Sequence, residues 1–171
     1  TMPSAVLTPA FGFGGDFVSA PVVDVGFQRE WFLDDRLDGV LNHETRGHIP
    51  EDLHRYIFSA LFAQIIGKSP QLKEFPEELR PSHANAQDLD EKTPFKDRFR
   101  VQLADRPATT ITSHISKDGH YYIHPDPAQC RSLTVREAAR LQTFPDNYRF
   151  EGPRTSQYVQ IGNAVPPLAA R

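Results

Sequence analysis

Arg131-Ser132-Leu133-Thr134-Val135-Arg136-Glu137-Ala138-Ala139-Arg140-Leu141-Gln142-Thr143-Phe144-Pro145-Asp146 carries a helix start, a helix body and a helix stop in one short run. Thr134 and Glu137 form a capping box: the threonine oxygen accepts from the amide of Glu137 while the glutamate reaches back to the amide of Thr134. Ala138, Ala139, Leu141 and Gln142 continue the helix until Phe144-Pro145-Asp146 breaks it. The spacing predicts a helix over 134–143, with Arg136 and Arg140 four apart on one face.

Downstream, Gln160-Ile161-Gly162-Asn163-Ala164-Val165-Pro166-Pro167 reads as a tight, glycine-containing turn. Pro166 or Pro167 suits a helix N-terminus, and such a turn exposes backbone amides that can hold a polar ligand. The helix it announces has Leu168, Ala169, Ala170 and Arg171 before the sequence stops, and one turn is too short to be stable alone. The expectation is a parent polypeptide that continues.

Upstream of the capping box, residues 98–103, 108–115 and 120–124 read as short strands. Ala104-Asp105-Arg106-Pro107 and Lys117-Asp118-Gly119 supply the turns between them, and Thr109, Thr110, Thr112, Tyr121 and Tyr122 are β-formers that carry hydroxyls. A second helix is expected over 50–66. Pro50 suits its first turn, Glu51 and Asp52 its positive end, and Leu53, Tyr56, Ile57, Ala60, Leu61 and Gln64 recur at helical spacing until Gly67. Residues 69–93 read as a connector anchored by Leu72, Phe75 and Leu79, and the first forty as largely irregular, with a short strand at 21–25. The fold class expected is α+β, a small antiparallel sheet from 98–124 braced by the helices at 50–66 and 134–143.

Composition excludes several classes. With 171 residues, 39% hydrophobic and 24% charged, the chain suits one soluble domain or a lobe of one. No run approaches the ~18 apolar residues of a spanning helix, and the N-terminus lacks a secretory layout, so no membrane partner and a cytoplasmic location are expected. Cys130 is a single cysteine and forms no internal disulfide; it reads as a small packing residue. His43, His48 and His54 lack metal-site spacing, and no metal is expected. The net charge of −3 hides an asymmetry: eight Lys or Arg against 15 Asp or Glu through residue 92, then 11 against seven. Lys96, Arg98, Arg100, Arg106, Lys117, Arg131, Arg136, Arg140, Arg149 and Arg154 of the basic half could meet phosphates or form a solvated face.

Residues 131–146 resemble the ninth conserved motif of the DNA (cytosine-5) methyltransferases, and 160–167, with its central Gly162-Asn163-Ala164-Val165, resembles the tenth. The two stand in the family's order. Ala108-Thr109-Thr110-Ile111-Thr112 resembles the threonine-plus-aliphatic element of the family's target recognition domain. The resemblance divides the chain into 1–92, a recognition region or an insertion in it; 93–154, the recognition core with motif nine; and 155–171, the motif-ten segment.

The resemblance implies an S-adenosylmethionine-dependent parent enzyme, and leaves open both a place in a restriction-modification system and a methyltransferase that acts alone. Its catalytic lobe flips the target cytosine out of the duplex, adds a cysteine thiolate to C6 and methylates C5. Asn163 and Ala164 would line the S-adenosylmethionine pocket. Thr110 would contact the DNA backbone near the flipped base, with Ile111, Arg98, Arg100 and Lys117 also on the DNA side. The partners implied are double-stranded DNA and an N-terminal catalytic lobe of the same polypeptide, whose doubly wound sheet motif ten would rejoin.

That catalytic lobe has no counterpart in this sequence. There is no Pro-Cys dipeptide and no Glu-Asn-Val, Glu137 is used by the capping box, and Phe11-Gly12-Phe13-Gly14-Gly15 lacks the leading apolar strand of a cofactor loop. No catalytic residue is therefore expected in this chain, and the chain alone is expected to be inactive. Two other readings stay open at this stage: a stand-alone, non-catalytic DNA-binding or regulatory module, and an unrelated protein-interaction domain.

Overall fold

A computed structural model describes residues 17–19, 26–37, 39–82 and 96–171. The strand expected at 21–25 and the glycine cluster at 11–15 lie outside the described residues. The chain forms two compact units, each assembled from segments distant in sequence: Thr1–Thr45, Thr110–Asp118 and Leu133–Arg171 in the first, Arg46–Thr109 and Gly119–Ser132 in the second.

In the first unit, β1 (Phe17–Ser19) pairs antiparallel with β2 (Gly39–Leu41), Val18 opposite Val40. Between them lies the one-turn helix α1 (Arg29–Phe32). The capping-box helix, third along the chain, is α3 (Val135–Leu141). Thr134 Oγ1 accepts from the Glu137 amide at 3.2 Å and Glu137 Oε2 accepts from the Thr134 amide at 2.8 Å, the reciprocal pair read from the sequence. The helix stops in a Schellman motif: the amides of Phe144 and Thr143 donate to the carbonyls of Ala139 and Arg140, both at 2.9 Å. Thr143 takes the left-handed position, φ 65°, where glycine is usual.

Motif ten differs from its sequence reading. Gln160 to Asn163 are not a turn but the last turn of a ten-residue helix, α4 (Arg154–Asn163), which buries Gln157, Tyr158 and Ile161. Gly162 does not break it. The break comes at Ala164, which is extended at φ −78° and ψ 144°, and Pro166 then leads into α5 (Pro167–Ala170). The sequence reading gave the glycine the weight that belongs to the prolines, because a proline lacks the amide a helix needs whereas a glycine merely weakens one.

In the second unit, the helix read over 50–66 is α2 (Pro50–Ile66), with Pro50 at its start, Glu51 and Asp52 in its first turn and Gly67 left-handed at its end. It buries Tyr56, Ser59, Ala60 and Ala63. Two 3-10 turns follow, η1 (Leu72–Glu74) and η2 (Glu77–Leu79). Leu72 and Phe75, the anchors expected of the connector, join Tyr56, Ala63, Phe99, Val101 and Ile123 in one core. Its aromatic rings interlock, Phe58 with Phe75 at 4.7 Å, Phe75 with Phe99 at 5.5 Å and Phe99 with His120 at 4.8 Å between centroids.

The three strands expected over 98–124 are reduced to single bridges, Val101 beside Ile123 and Ile123 beside Ser132. Backbone bonds from Arg100 to His120, Gln102 to Ile123 and Ile123 to Arg100 hold the parallel bridge, and a side chain extends it: Gln102 Nε2 donates to the Tyr121 carbonyl at 2.8 Å, and Gln102 Oε1 accepts from the Thr109 amide at 2.9 Å. The middle segment leaves altogether. Thr110–Asp118 belongs to the first unit, where it tightens into the 3-10 turn η3 (Ser113–Ser116). Alternating β-formers satisfy a strand pattern, but a ladder also needs a partner, and here the partner is a helix.

Candidate functional site

The first unit gathers the capping-box helix, the motif-ten helix and the threonine segment, and its centre is a buried cation. Arg136 is 0% exposed. Its Nε donates to the Leu41 carbonyl at 2.9 Å, Nη1 to Pro145 at 3.0 Å and Nη2 to Tyr148 at 2.6 Å, and the guanidinium lies 5.8 Å from the Phe150 ring centroid. Burial pushes its pKa down to about 10, against the pull of Asp146, so it stays protonated at neutral pH. Three carbonyls thus replace the water it gave up. Arg140 forks onto Asp146 at 2.8 and 2.5 Å.

These findings divide the cations of the basic half, read from the sequence as phosphate contacts or a solvated face, by burial and pairing. Arg136 and Arg131 are buried, Arg140 is paired with Asp146 and Arg154 with Glu44; among the described cations of that half Arg106, Lys117, Arg149 and Arg171 are exposed. A buried arginine holding carbonyls together does structural work a phosphate contact could not share.

Asn42 is the second polar fastener. It is 3% exposed and left-handed at φ 58°. Its side chain donates to the Phe150 carbonyl at 3.0 Å and to Gln157 Oε1 at 3.3 Å and accepts from the Phe150 amide at 3.0 Å, while its carbonyl accepts from the Arg136 amide. Tyr158 Oη donates to the Leu133 carbonyl at 2.7 Å, tying α4 to the start of α3. His43 Nδ1 lies 2.9 Å from Thr134 Oγ1.

The end of α3 also holds motif ten in place. Gln142 Nε2 donates to the Ala164 carbonyl at 2.8 Å, and the Thr143 hydroxyl accepts from the Leu168 amide at 3.0 Å, capping an orphan donor of α5. Trp31 Nε1 donates to the Thr143 carbonyl at 2.8 Å, which helps hold that residue in its strained conformation. The result is a fixed stretch from Asn163 to Pro166. Asn163 is exposed, Ala164 half-buried and Val165 exposed.

Against α4 packs the threonine segment. Thr110 and Thr112 are exposed while Ile111 and Ile115 are buried, so apolar side chains anchor the segment and hydroxyls face out. Thr110, Ile111, Lys117, Asn163 and Ala164 therefore share one unit. Ile111 faces the core, which leaves its backbone for any outside contact. Arg98 and Arg100 belong to the other unit, where Arg100 pairs with Asp97 and lies 5.9 Å from the Tyr121 ring centroid.

Glu137 and Cys130, set aside as catalytic candidates, both have structural partners. Glu137 is held in the capping box. Cys130 donates its thiol to the Leu53 carbonyl at 3.1 Å, and burial pushes that thiol's pKa up, away from thiolate chemistry. Among the described residues, no group of three or more His, Cys, Asp or Glu is placed to hold a metal, and no helix is long and apolar enough to cross a membrane. Sequence reasoning missed Asn42 and Thr143, which carry no local signal, and missed the role of Gly162, whose signal was a glycine inside a helical pattern.

Residues 47–171 match the family model of the C-5 cytosine-specific DNA methylases. The chain is 53% identical over 130 residues to the type II methyltransferase M.Bpa9945I of Bacillus paralicheniformis, an alignment covering 76% of this chain and 27% of that protein. It is 33% identical over 132 residues to the type II methyltransferase M1.HphI of Haemophilus parahaemolyticus, covering 77% and 29% respectively. With M.BbvI of Brevibacillus brevis, another type II methyltransferase, it shares 33% over 136 residues, covering 75% and 34%. The chain belongs to the C-5 cytosine-specific DNA methylase family. It spans between about a quarter and a third of the length of these curated relatives.

Proposed function

We propose that this chain is the C-terminal, target-recognising portion of an S-adenosylmethionine-dependent DNA (cytosine-5) methyltransferase, working with a catalytic lobe supplied by the same polypeptide. In this reading the enzyme acts on double-stranded DNA in the cytoplasm, and the likeness to type II methyltransferases supports a restriction-modification setting. The observation that carries the reading is the packing of the threonine segment against the helix that ends in Asn163. One unit thereby presents hydroxyls suited to a DNA backbone and a wall suited to the cofactor.

S-adenosylmethionine fits the second surface by its chemistry. An exposed Asn163 amide can both donate and accept, and beside it Ala164 and Val165 offer small apolar surface for a nucleoside. These residues would hold the cofactor, which supplies the methyl group. This chain's own contribution is placement. Arg136, Asn42, Gln142 and Thr143 hold the backbone that carries Asn163 and Ala164, and Ile111 and Ile115 hold the backbone that carries Thr110. In this reading 93–154 is the recognition core, 155–171 the cofactor-side segment, and the whole an α+β lobe.

The reading is tested by methyl transfer from labelled S-adenosylmethionine to mixed-sequence duplex DNA, with the chain alone and with the upstream part of its reading frame. Transfer is expected only on supplementation. Within the intact enzyme, Thr110→Ala should raise the KM for DNA more than that for S-adenosylmethionine, and Asn163→Ala the reverse. Equal effects on both would contradict the assignment.

A further inference from the structure

Gly162 stands at the next-to-last position of a regular helix, where alanine would be the better helix former. Its conformation does not require glycine, for its φ lies outside the left-handed region. What requires it is space. A Cβ built at Gly162 would fall inside the van der Waals shells of Ser113 N, Thr112 C and Ser113 Cα, the last at 2.5 Å. All three are backbone atoms, so no rotamer change relieves the overlap, and either α4 or the threonine segment must shift.

The neighbours on each side give that contact its meaning. One residue after Gly162 comes Asn163, and two residues before Thr112 comes Thr110. Buried Ile111 and Ile115 flank the point of contact on the threonine side, buried Tyr158 and Ile161 precede it on the helix side, and η3 packs along α4. We propose that Gly162 is a positioning residue: its missing side chain sets how close the threonine segment sits to α4, so the DNA-facing hydroxyls and the cofactor-facing Asn163 are placed by one backbone-to-backbone contact. The identity of the two ligands rests on the function proposed above; the contact itself does not.

Helix propensity and the contact make opposite predictions for Gly162→Ala. Propensity alone would raise the thermal midpoint, whereas the contact requires it to fall and the threonine segment to loosen. In the full-length methyltransferase, amide hydrogen exchange of Gly162→Ala should rise about tenfold over residues 111–116 and stay unchanged over α3. The KM for DNA should rise about tenfold, and Thr110→Ala should add less in the Gly162→Ala background than it costs in the wild type, because the two act on the same contact. Unchanged exchange over 111–116, a raised thermal midpoint, or additive effects of the two substitutions would each overturn the proposal. If Thr110→Ala alone left every kinetic constant unchanged, the DNA contact would fail while the exchange result stood on its own. Should Gly162→Ala not fold, Ile115→Val deletes one methyl group from the same packed segment; its exchange gain should be smaller, confined to 111–116 and accompanied by a rise in the KM for DNA. A gain spread over α3, or one without that rise, would overturn it.

Discussion

The two units of this chain combine ring packing and hydrogen bonds to backbone in different proportions: the first also packs Phe144, Tyr148 and Phe150 at 5.0 Å, and the second also holds backbone with Gln102 and Arg55. The second unit is held by interlocked rings, with Phe58, Phe75, Phe99 and His120 in a chain of centroid distances between 4.7 and 5.5 Å over buried Tyr56 and Ile123. In the first, side chains reach across to hold backbone: Arg136 on three carbonyls, Asn42 on both polar groups of Phe150, Tyr158 on Leu133, Gln142 on Ala164. Apolar packing tolerates repacking by side chains of similar volume. A directed hydrogen bond to a buried carbonyl does not, since a donor displaced by an ångström leaves an orphan. Every residue proposed to face the cofactor lies on the polar-fastened unit, where backbone position is specified most tightly.

The sharpest way to break that comparison is Arg136→Met, which keeps an apolar stem and removes the fork. Three carbonyls lose their donor and the interior loses its buried cation, and the expected cost is about 5 kcal/mol. Trp31, the single tryptophan of the sequence, lies in the same unit, so its fluorescence in a urea titration reports that loss directly. A cost below about 1 kcal/mol would mean that the carbonyls find water and that the fork is not the fastener.

Phe99→Ala probes the other unit and should cost about 4 kcal/mol, the usual range for a large buried ring. Far-UV circular dichroism, to which α2 contributes as the longest helix, should gain an earlier, partial transition, with the Trp31 transition unmoved. A shift of both together would mean that the two units unfold as one and that the contrast between them has no thermodynamic edge. The smallest effect expected is that of Thr134→Ala, about 1 kcal/mol for a lost N-cap. Because Thr134 Oγ1 also lies against His43 Nδ1, urea titration should place the loss on the Trp31 signal; a loss on the α2 signal alone would contradict the partition.

Legibility followed the range of the interactions. The helix over 50–66 was readable because its proline start, acidic first turn and glycine stop are neighbours in sequence. The capping box was readable for the same reason, and so were the two motif-like stretches that carried the family resemblance. The strands over 98–124 were less legible because their alternation is real but their pairing is not local: 100–102 meets 120–123 in a single parallel bridge extended by the Gln102 side chain, and 110–118 belongs to the other unit. The turn at 160–167 was misread because a glycine that makes room for a neighbouring backbone looks, along the chain, the same as one that ends a helix.

What the sequence by itself determined is therefore the set of short-range structures and the family they mark, since a cap and its partner three residues on need no fold to find each other. What only the tertiary structure decided is the work those structures do. Arg136 reads as a surface cation until its three acceptors, 95, nine and 12 residues away, are brought around it. Gly162 reads as a break until the backbone of Thr112 and Ser113 closes on it. Desolvation and close packing depend on which atoms become neighbours, and that is settled only when distant segments meet.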